Sequence, residues 1–370
     1  MPGLLDEADE ALAAALRRLN VAFRYPRARS SCRRRHSVSS VSGAGYCTLV
    51  DGDGALVRGQ GPVRTGVTAI LPRGRSGAGT AAAAGSFSLN GNGELTGLAW
   101  VEESGECEGP ITLTNTHSVG RARDGTVKWL VERAAMKQPW SLPVAGETYD
   151  GELNDINGFH VRDEHVFAAL EAARGGAIDM GSVGGGTGMI CYDFKGGSGS
   201  ASRLVEAAGS WTVGAFVQAN FGTRRELTVL GVPVGRDLPG GEVRSTPMGS
   251  VIAIVATDAP LLPHQLKRLA RRVPLGLART GTFGHNGSGD IFLALSTANA
   301  AAFEGKGRRS MEFIANAEMN PLFEAVVETI EEAVLDAMIA NGPMTGANGV
   351  TVRALPHGEL VDLLRHHGRM

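Results

Sequence analysis

Leu4, Leu5, Ala8, Leu12, Leu16 and Leu19 recur at helical spacing, which predicts an amphipathic helix over residues 3–20. From Val63 onward the texture changes. Short apolar runs, Gly66–Leu71 and Glu94–Val101, alternate with Gly/Asn turns and read as strands. Residues 163–174 read as a helix, capped by Asp163 and stopped by Gly175. Val251–Ala256 is six consecutive apolar residues rich in β-branching, the pattern of a strand buried on both faces. Asp258 then looks like the cap of a helix with Pro260 and Pro263 in its opening turn. Leu266, Leu269, Ala270 and Val273 would lie on its inner face and Lys267, Arg268, Arg271 and Arg272 on its solvent face. Asn320-Pro321 opens a strongly periodic helix through Phe323, Val326, Val327, Ile330, Val334 and Met338, closed by Asn341-Gly342. Glu331 and Glu332 within it read as surface charges.

Composition narrows the class. The 370 residues are 43% hydrophobic, enough for a substantial core, and a layered α/β fold can absorb that length as one unit. A formal net charge of −2 gives neither nucleic acid nor an anionic membrane a reason to bind. Six arginines and a histidine between Arg24 and His36 are the exception, read as a solvated segment rather than a nucleic-acid arm. The four cysteines, Cys32, Cys47, Cys107 and Cys191, have no C-x-x-C spacing, and no H-E-x-x-H occurs, so neither a disulfide framework nor a metal site is expected. No cofactor is implied. The opening residues are acidic and helical rather than basic and then apolar, and no apolar run approaches a membrane span. A cytoplasmic protein is expected.

Four stretches can carry chemistry. Gly181–Gly188 can turn backbone N–H groups toward an anion, but it fits neither the dinucleotide nor the Walker spacing, and a tight turn explains it equally. Pro247-Met248-Gly249-Ser250 runs straight into the buried strand. A serine there is rigidly held, and the glycine before it leaves the preceding carbonyl open to attack, although an ordinary turn fits too. It is not a G-x-S-x-G nucleophile elbow. Ser288 and Asp290, two apart at a strand entrance, can form a hydrogen-bonded relay or an ordinary Ser turn, with His285 nearby in a Gly/Asn loop. Tyr149 and Asn220 offer a phenol and an amide that can donate to an oxyanion.

Taken together, RTGVTAILPRG from Arg64, NGNGELTG, EESGECEGPITLTNTHSVG, ETYDGELNDINGFHV, SVGGGTGMICYDFKGG, VQANFG, GSVIAIVATDAPLLPHQLKRLARR and NGSGDIFLALSTAN closely resemble the L-aminopeptidase/D-esterase family. That family includes β-peptidyl aminopeptidases and is related to nylon-oligomer hydrolases. The likeness spans roughly residues 49–340. It implies an α/β fold of the four-layer αββα kind and self-cleavage between Gly249 and Ser250 into two associated chains. It also implies assembly into homo-oligomers, with the tetramer as the expected size. Residues 1–48 would form an N-terminal helix and atypical Arg/Ser-rich segment, and 49–370 the hydrolase domain. Matched motif by motif, Ser250 is the nucleophile, Tyr149 the site tyrosine and Asn220 the oxyanion amide. Ser288 and Asp290 are the supporting hydroxyl and acid, although the acid is Glu in some relatives.

The resemblance breaks at one place. Relatives carry a smooth strand ahead of the segment near Thr48-Leu49, whereas residues 24–47 here are rich in Arg and Ser, as a divergent or frame-altered stretch would be. The expected substrates are small peptides, amino-acid amides or esters. Trp140 would wall the substrate site or belong to the core, and Glu147 would pair with the substrate's free amine or lie on the surface. Two other readings stay open: acyl transfer like that of ornithine acetyltransferases, where Thr would be expected at the nucleophile, and a non-enzymatic nucleotide-binding module built on Gly181–Gly188.

Overall fold

The computed structural model describes residues 43–238, 241, 243–244 and 249–370. The predicted helix at 3–20, the Arg-rich segment up to residue 42, and Pro247-Met248 lie outside the described residues. In chain order the first half gives β1 (Gly43–Asp51), β2 (Val63–Leu71), β3 (Ala82–Gly91), α1 (Leu98–Ser104), β4 (Glu106–Cys107), β5 (Ile111–Asn115), α2 (Val119–Glu132), β6 (Val144–Thr148) and α3 (Asp163–Ala172). The second half gives β7 (Ile190–Cys191), β8 (Phe194–Lys195), β9 (Gly197–Glu206), β10 (Ser210–Asn220), β11 (Ser250–Thr257), α4 (Pro263–Ala270), α5 (Val273–Arg279), β12 (Gly289–Ser296) and α6 (Asn320–Ile339). The small pair β13 (Met344–Thr345) and β14 (Thr351–Val352) and a closing α7 (His357–His366) follow.

Two sheets organise these elements, one in the order β1-β2-β5-β6 and one in the order β4-β3-β12-β11-β10-β9. Each contains one parallel pair, β5 with β6 and β11 with β12. Parallel neighbours need a crossover, which α2 supplies in the first sheet and α4–α5 in the second. Side-chain parity then builds the layers. On β11, Ile252, Ile254 and Ala256 meet Ile70, Ile111, Leu113 and Val144 of the smaller sheet. Val251, Ala253 and Val255 face the other way, onto Leu266, Leu269, Val273, Val326 and Ile330 of α4–α6. Both faces are buried, which is why the strand reads as an unbroken apolar run, and each such Val or Ile contributes about 1.5–3 kcal/mol. The outer face of β2 is covered by Trp129, Leu130, Val166 and Leu170 of α2 and α3. The result is the expected αββα sandwich.

Several local expectations change. Glu94–Val101 is not a strand: α1 starts at Leu98, bracketed by Gly97 and Gly105 at φ 77 and 74. Those left-handed glycines terminate a short helix that the apolar run alone does not reveal. The helix at 163 starts with Asp163 itself, and it ends at Ala172 rather than at Gly175. Asp258 caps no helix, because its Oδ1 accepts the Thr212 N–H at 2.6 Å and α4 begins only at Pro263. Glu331 and Glu332 are buried, not surface charges. Glu332 and Glu328 hold Arg203 at 2.6 and 2.9 Å, and Glu331 lies 3.3 Å from Arg279. These pairs offset the cost of burying charge where α6 crosses β9 and α5. Finally, β1 pairs with β2 from Gly43 to Asp51, so the folded unit already includes part of the segment expected to stand apart before residue 49.

Candidate active site

Ser250 is the first residue of β11. It stands opposite Asn220 across the antiparallel β10–β11 ladder and beside Gly289 in the parallel β11–β12 ladder. It shares the parity of Ile252, so its side chain faces the space between the sheets. Asn220 shares the parity of Phe216 and faces the same way, and directly opposed residues have Cβ atoms about 4.5–5.5 Å apart. The register therefore places an amide beside the hydroxyl. The carbonyl of Gly249, which precedes Ser250, accepts the Gly289 N–H at 3.3 Å. Gly249 is a glycine for want of room: a Cβ there would stand 2.7 Å from the Asn220 carbonyl oxygen and from Phe221 Cα.

A cavity of about 480 Å³ opens on this face, lined by Ser250, Asn220, Tyr149, Glu147, Thr116 and Arg244 among others. Asn220 is fully buried, and its amide orientation is defined by its partners. Oδ1 accepts the Ile190 N–H at 2.9 Å and Arg244 Nη2 at 2.6 Å, while Nδ2 donates to the Tyr149 carbonyl at 2.8 Å. An amide nitrogen carries two hydrogens, so one remains available to an oxyanion. The Tyr149 ring lies over Gly151, where a Cβ would come within 2.3 Å of the phenol oxygen. Burial, with the nearby Glu152 and Asp150 carboxylates, pushes the Tyr149 phenol up. Glu147 is 3% exposed, so it belongs to the cavity wall rather than the outer surface. Its carboxylate accepts the Glu94 N–H at 2.9 Å and the Thr116 hydroxyl, and burial holds its pKa above the ordinary glutamate value despite those bonds.

Ser288 and Asp290 lie on the opposite face. They line a second, mostly apolar cavity of about 240 Å³ together with Gly249 and His285, so Gly249 borders both spaces. Ser288 Oγ donates to Asp290 Oδ1 at 2.6 Å, and Asn90 Nδ2 donates to Asp290 Oδ2 at 2.9 Å. The hydrogen bond within this pair is formed, and Ser288 also sits in a turn, its N–H donating to the His285 carbonyl at 2.9 Å. Burial raises the Asp290 carboxyl, and the bonds from Ser288, Asn90 and the Val251 amide only partly offset that. His285 is tied to Glu226 at 2.9 Å and packs against the Phe283 ring in a tilted arrangement.

Five of the seven residues singled out as catalytic or substrate-binding thus converge on Ser250 and its cavity or on Gly249: Tyr149, Asn220, Glu147, Ser288 and Asp290. Trp140 does not. It is 58% exposed and lines a separate depression with Trp100, Gln138 and Leu142. Gly181–Gly188 is a packing device rather than an anion site. The Gly184 and Gly185 N–H groups go to the Thr48 and Thr68 hydroxyls at 2.8 and 3.1 Å, and a Cβ at Gly185 would lie 2.2 Å from Gln218 Oε1. Arg244 was not legible as a site residue; Asn90 and Gly289 stand inside the quoted motifs NGNGELTG and NGSGD, but nothing there marked either for a role. Among the described residues no group of three or more His, Cys, Asp or Glu is placed to hold a metal ion, and no helix is long and apolar enough to cross a membrane.

The chain matches the model of peptidase family S58 over residues 38–352. It is 48% identical over 356 residues to the β-peptidyl aminopeptidase BapA of Sphingosinicella microcystinivorans, covering 90% of this chain and 89% of that one. Among solved structures it superposes on the L-aminopeptidase D-Ala-esterase/amidase of Ochrobactrum anthropi, described as a prototype for the serine aminopeptidases and a variant of the Ntn hydrolase fold. There the TM-score is 0.84 with 45% identity, over 89% of this chain and 93% of that one. A Burkholderia β-aminopeptidase gives a TM-score of 0.83 with 45% identity, over 92% and 96% of the two chains.

Proposed function

The chain belongs to peptidase family S58, a serine aminopeptidase of the N-terminal-nucleophile kind, and on that premise we propose that it matures by cutting itself between Gly249 and Ser250. The observation that carries this reading is the position of that bond. Ser250 opens a doubly buried strand, the Gly249 carbonyl is held by the Gly289 N–H, and Gly249 alone among these residues borders both cavities. The Ser250 hydroxyl attacks the Gly249 carbonyl carbon; the C–N bond breaks as an ester forms, and the hydroxyl proton passes to the departing nitrogen. Ser288 and Asp290, the latter made a stronger base by burial, stand on the other side of Gly249 and take that proton in transit through a bridging water. Water then hydrolyses the ester, leaving a carboxylate on Gly249 and a free α-amine on Ser250.

That amine is the base of the mature enzyme. Its reference pKa of about 7.7–8.0 leaves roughly a tenth to a fifth unprotonated at pH 7, so it can take the proton of its own hydroxyl. Ser288 and Asp290, on the side that Gly249 occupied, orient it. Ser250 Oγ attacks the substrate's acyl carbon, Asn220 donates its remaining N–H to the oxyanion, and Tyr149 assists the leaving group. An acyl-enzyme forms, and water releases it. Glu147 receives the free amine of the substrate, which makes the substrates small peptides, amino-acid amides or esters with an unblocked N-terminus. Acyl transfer to an amine and a nucleotide module are set aside: the family is one of peptidases, and the Gly-rich loop is internally bonded.

A homo-oligomer, tetrameric in size, completes the reading; exposed Leu275 and Phe283 offer apolar surface to another copy. Action in the cytoplasm suits Cys107 and Cys191, which are buried free thiols. The test is direct. Denaturing gels should show two bands where native sizing shows one species, and the smaller band should begin Ser-Val-Ile-Ala. Ser250→Ala should give one uncut, folded, inactive chain. Full activity with the Gly249–Ser250 bond intact would overturn the mechanism.

A further inference from the structure

We propose that Arg244 is a positioning residue that locks the Asn220 amide with its free N–H toward the reacting carbonyl, and that the Asp193 carboxylate clamps Arg244 in place. This rests on Asn220 being the oxyanion donor. An asparagine amide is nearly symmetric in shape, so only its hydrogen-bond partners decide which end faces the reaction. Both lone pairs of Asn220 Oδ1 are taken, by the Ile190 N–H and by Arg244 Nη2. A flipped amide would set its NH₂ against two donors, one of them cationic. The Arg244 side chain is 5% exposed, so water does not dilute that contact. A charged donor on the amide oxygen also draws electron density from the nitrogen and strengthens the N–H as a donor.

The clamp is built from a tight turn. Tyr192 and Asp193 join β7 to β8 with φ of 52 and 57, both in the left-handed region. Asp193 Oδ1 accepts the N–H groups of Val243 and Arg244 at 3.2 and 3.4 Å. The turn is held in its own right: Arg224 donates its N–H to Asp193 Oδ2 at 3.0 Å and Nη2 to the Asp193 carbonyl at 2.6 Å, over the Phe194 ring. Residues 193, 220, 224 and 244 all precede Gly249. Cutting the chain there therefore leaves the clamp tied within one fragment, and the mature enzyme inherits it.

The test compares Arg244→Met, Arg244→Lys, Asn220→Ala and the double variant Arg244→Met/Asn220→Ala, with kcat expressed per cleaved chain. Arg244→Met should still cut itself, because the precursor's Gly249 carbonyl is held by Gly289 instead. Its kcat should fall about tenfold or more with KM within about twofold, and Arg244→Lys should recover part of the loss. In the Asn220→Ala background the same substitution should change kcat by less than about twofold. An equal loss in both backgrounds, an effect on KM alone, or an uncut Arg244→Met chain would overturn the proposal. If Arg244→Met is silent while Asn220→Ala is crippled, the clamp fails and the oxyanion role stands. If Asn220→Ala is itself nearly fully active, the oxyanion role is what fails.

Discussion

Replacing Gly249 by alanine adds one methyl group at the tightest point of the proposed cleavage site. That methyl would stand 2.7 Å from the Asn220 carbonyl oxygen and from Phe221 Cα, and 3.1 Å from Phe221 Cβ. Two of these are backbone-bound atoms of a paired strand end and cannot swing aside, so residue 249 itself must retreat by roughly 0.7 Å to reach ordinary contact. The Gly249 carbonyl moves with it. Its bond to the Gly289 N–H is already 3.3 Å long, and a retreat of that size breaks it. Losing one oxyanion donor costs about a hundred- to a thousand-fold, and a misplacement of about 1 Å costs about a hundredfold. Because the methyl can also be relieved by tilting, self-cleavage should slow by about ten- to a hundredfold. Cell-free synthesis followed on denaturing gels would measure it. Once the bond is cut, residue 249 is a chain end free to turn away, so turnover per cleaved chain should stay within about twofold of wild type. Cleavage at the wild-type rate would refute the steric argument. Equal losses in cleavage and in mature turnover would show that Gly249 serves the fold and not the bond.

Asn220→Ala should lower kcat about a hundred- to a thousandfold with little change in KM, since the oxyanion exists only in the transition state; a loss below about fivefold in a folded, cleaved enzyme would make Asn220 structural. Burial raises the Glu147 pKa, so its carboxylate is lost on acidification at a higher pH than an ordinary glutamate's. KM for an L-alanyl p-nitroanilide should therefore rise as pH falls through that point, Glu147→Gln should raise KM and flatten the profile, and the N-acetylated substrate should not react; a flat wild-type profile would exclude Glu147 as the amine's partner. Lys195 is fully buried, donates to the Met189 and Gly196 carbonyls, and burial lowers its pKa to about 7. The unfolded chain then binds the extra proton between about pH 7 and the ordinary lysine value of about 10.4, so stability rises with pH across that window. Denaturant midpoints from pH 7 to 10 should climb more steeply for wild type than for Lys195→Met, and equal slopes would count against the assignment.

Much of the fold is carried by local pattern. A strand buried on both faces has to be apolar at every position, so Val251–Ala256 announces β11 without help from the rest of the chain. The long helix beginning at Asn320 is legible for the same reason, because one turn of periodicity repeats over 20 residues. Short elements are not. Leu95, Leu98 and Val101 suit a strand or a helix, and only the left-handed Gly97 and Gly105 settle that a helix forms. Glu331 and Glu332 look like solvent charges because their partners, Arg279 and Arg203, are 52 and 129 positions away.

The site divides along the same line. Motif resemblance named Ser250, Asn220, Tyr149, Ser288 and Asp290, since the residue types that such chemistry needs are local and recognisable. Which of them share a face was decided by strand register alone. Asn220 meets Ser250 because β10 pairs with β11 at that position, and Ser288 and Asp290 reach Gly249 from the other side because β12 runs parallel to β11. A one-residue slip would turn either set away. Arg244 carries no signature, and Asn90 and Gly289, although inside quoted motifs, show no role there, because a guanidinium, an amide and a backbone N–H are common groups. They acquire a role only from the atoms that folding sets within 3.3 Å of them, and those atoms come from segments far off in the chain.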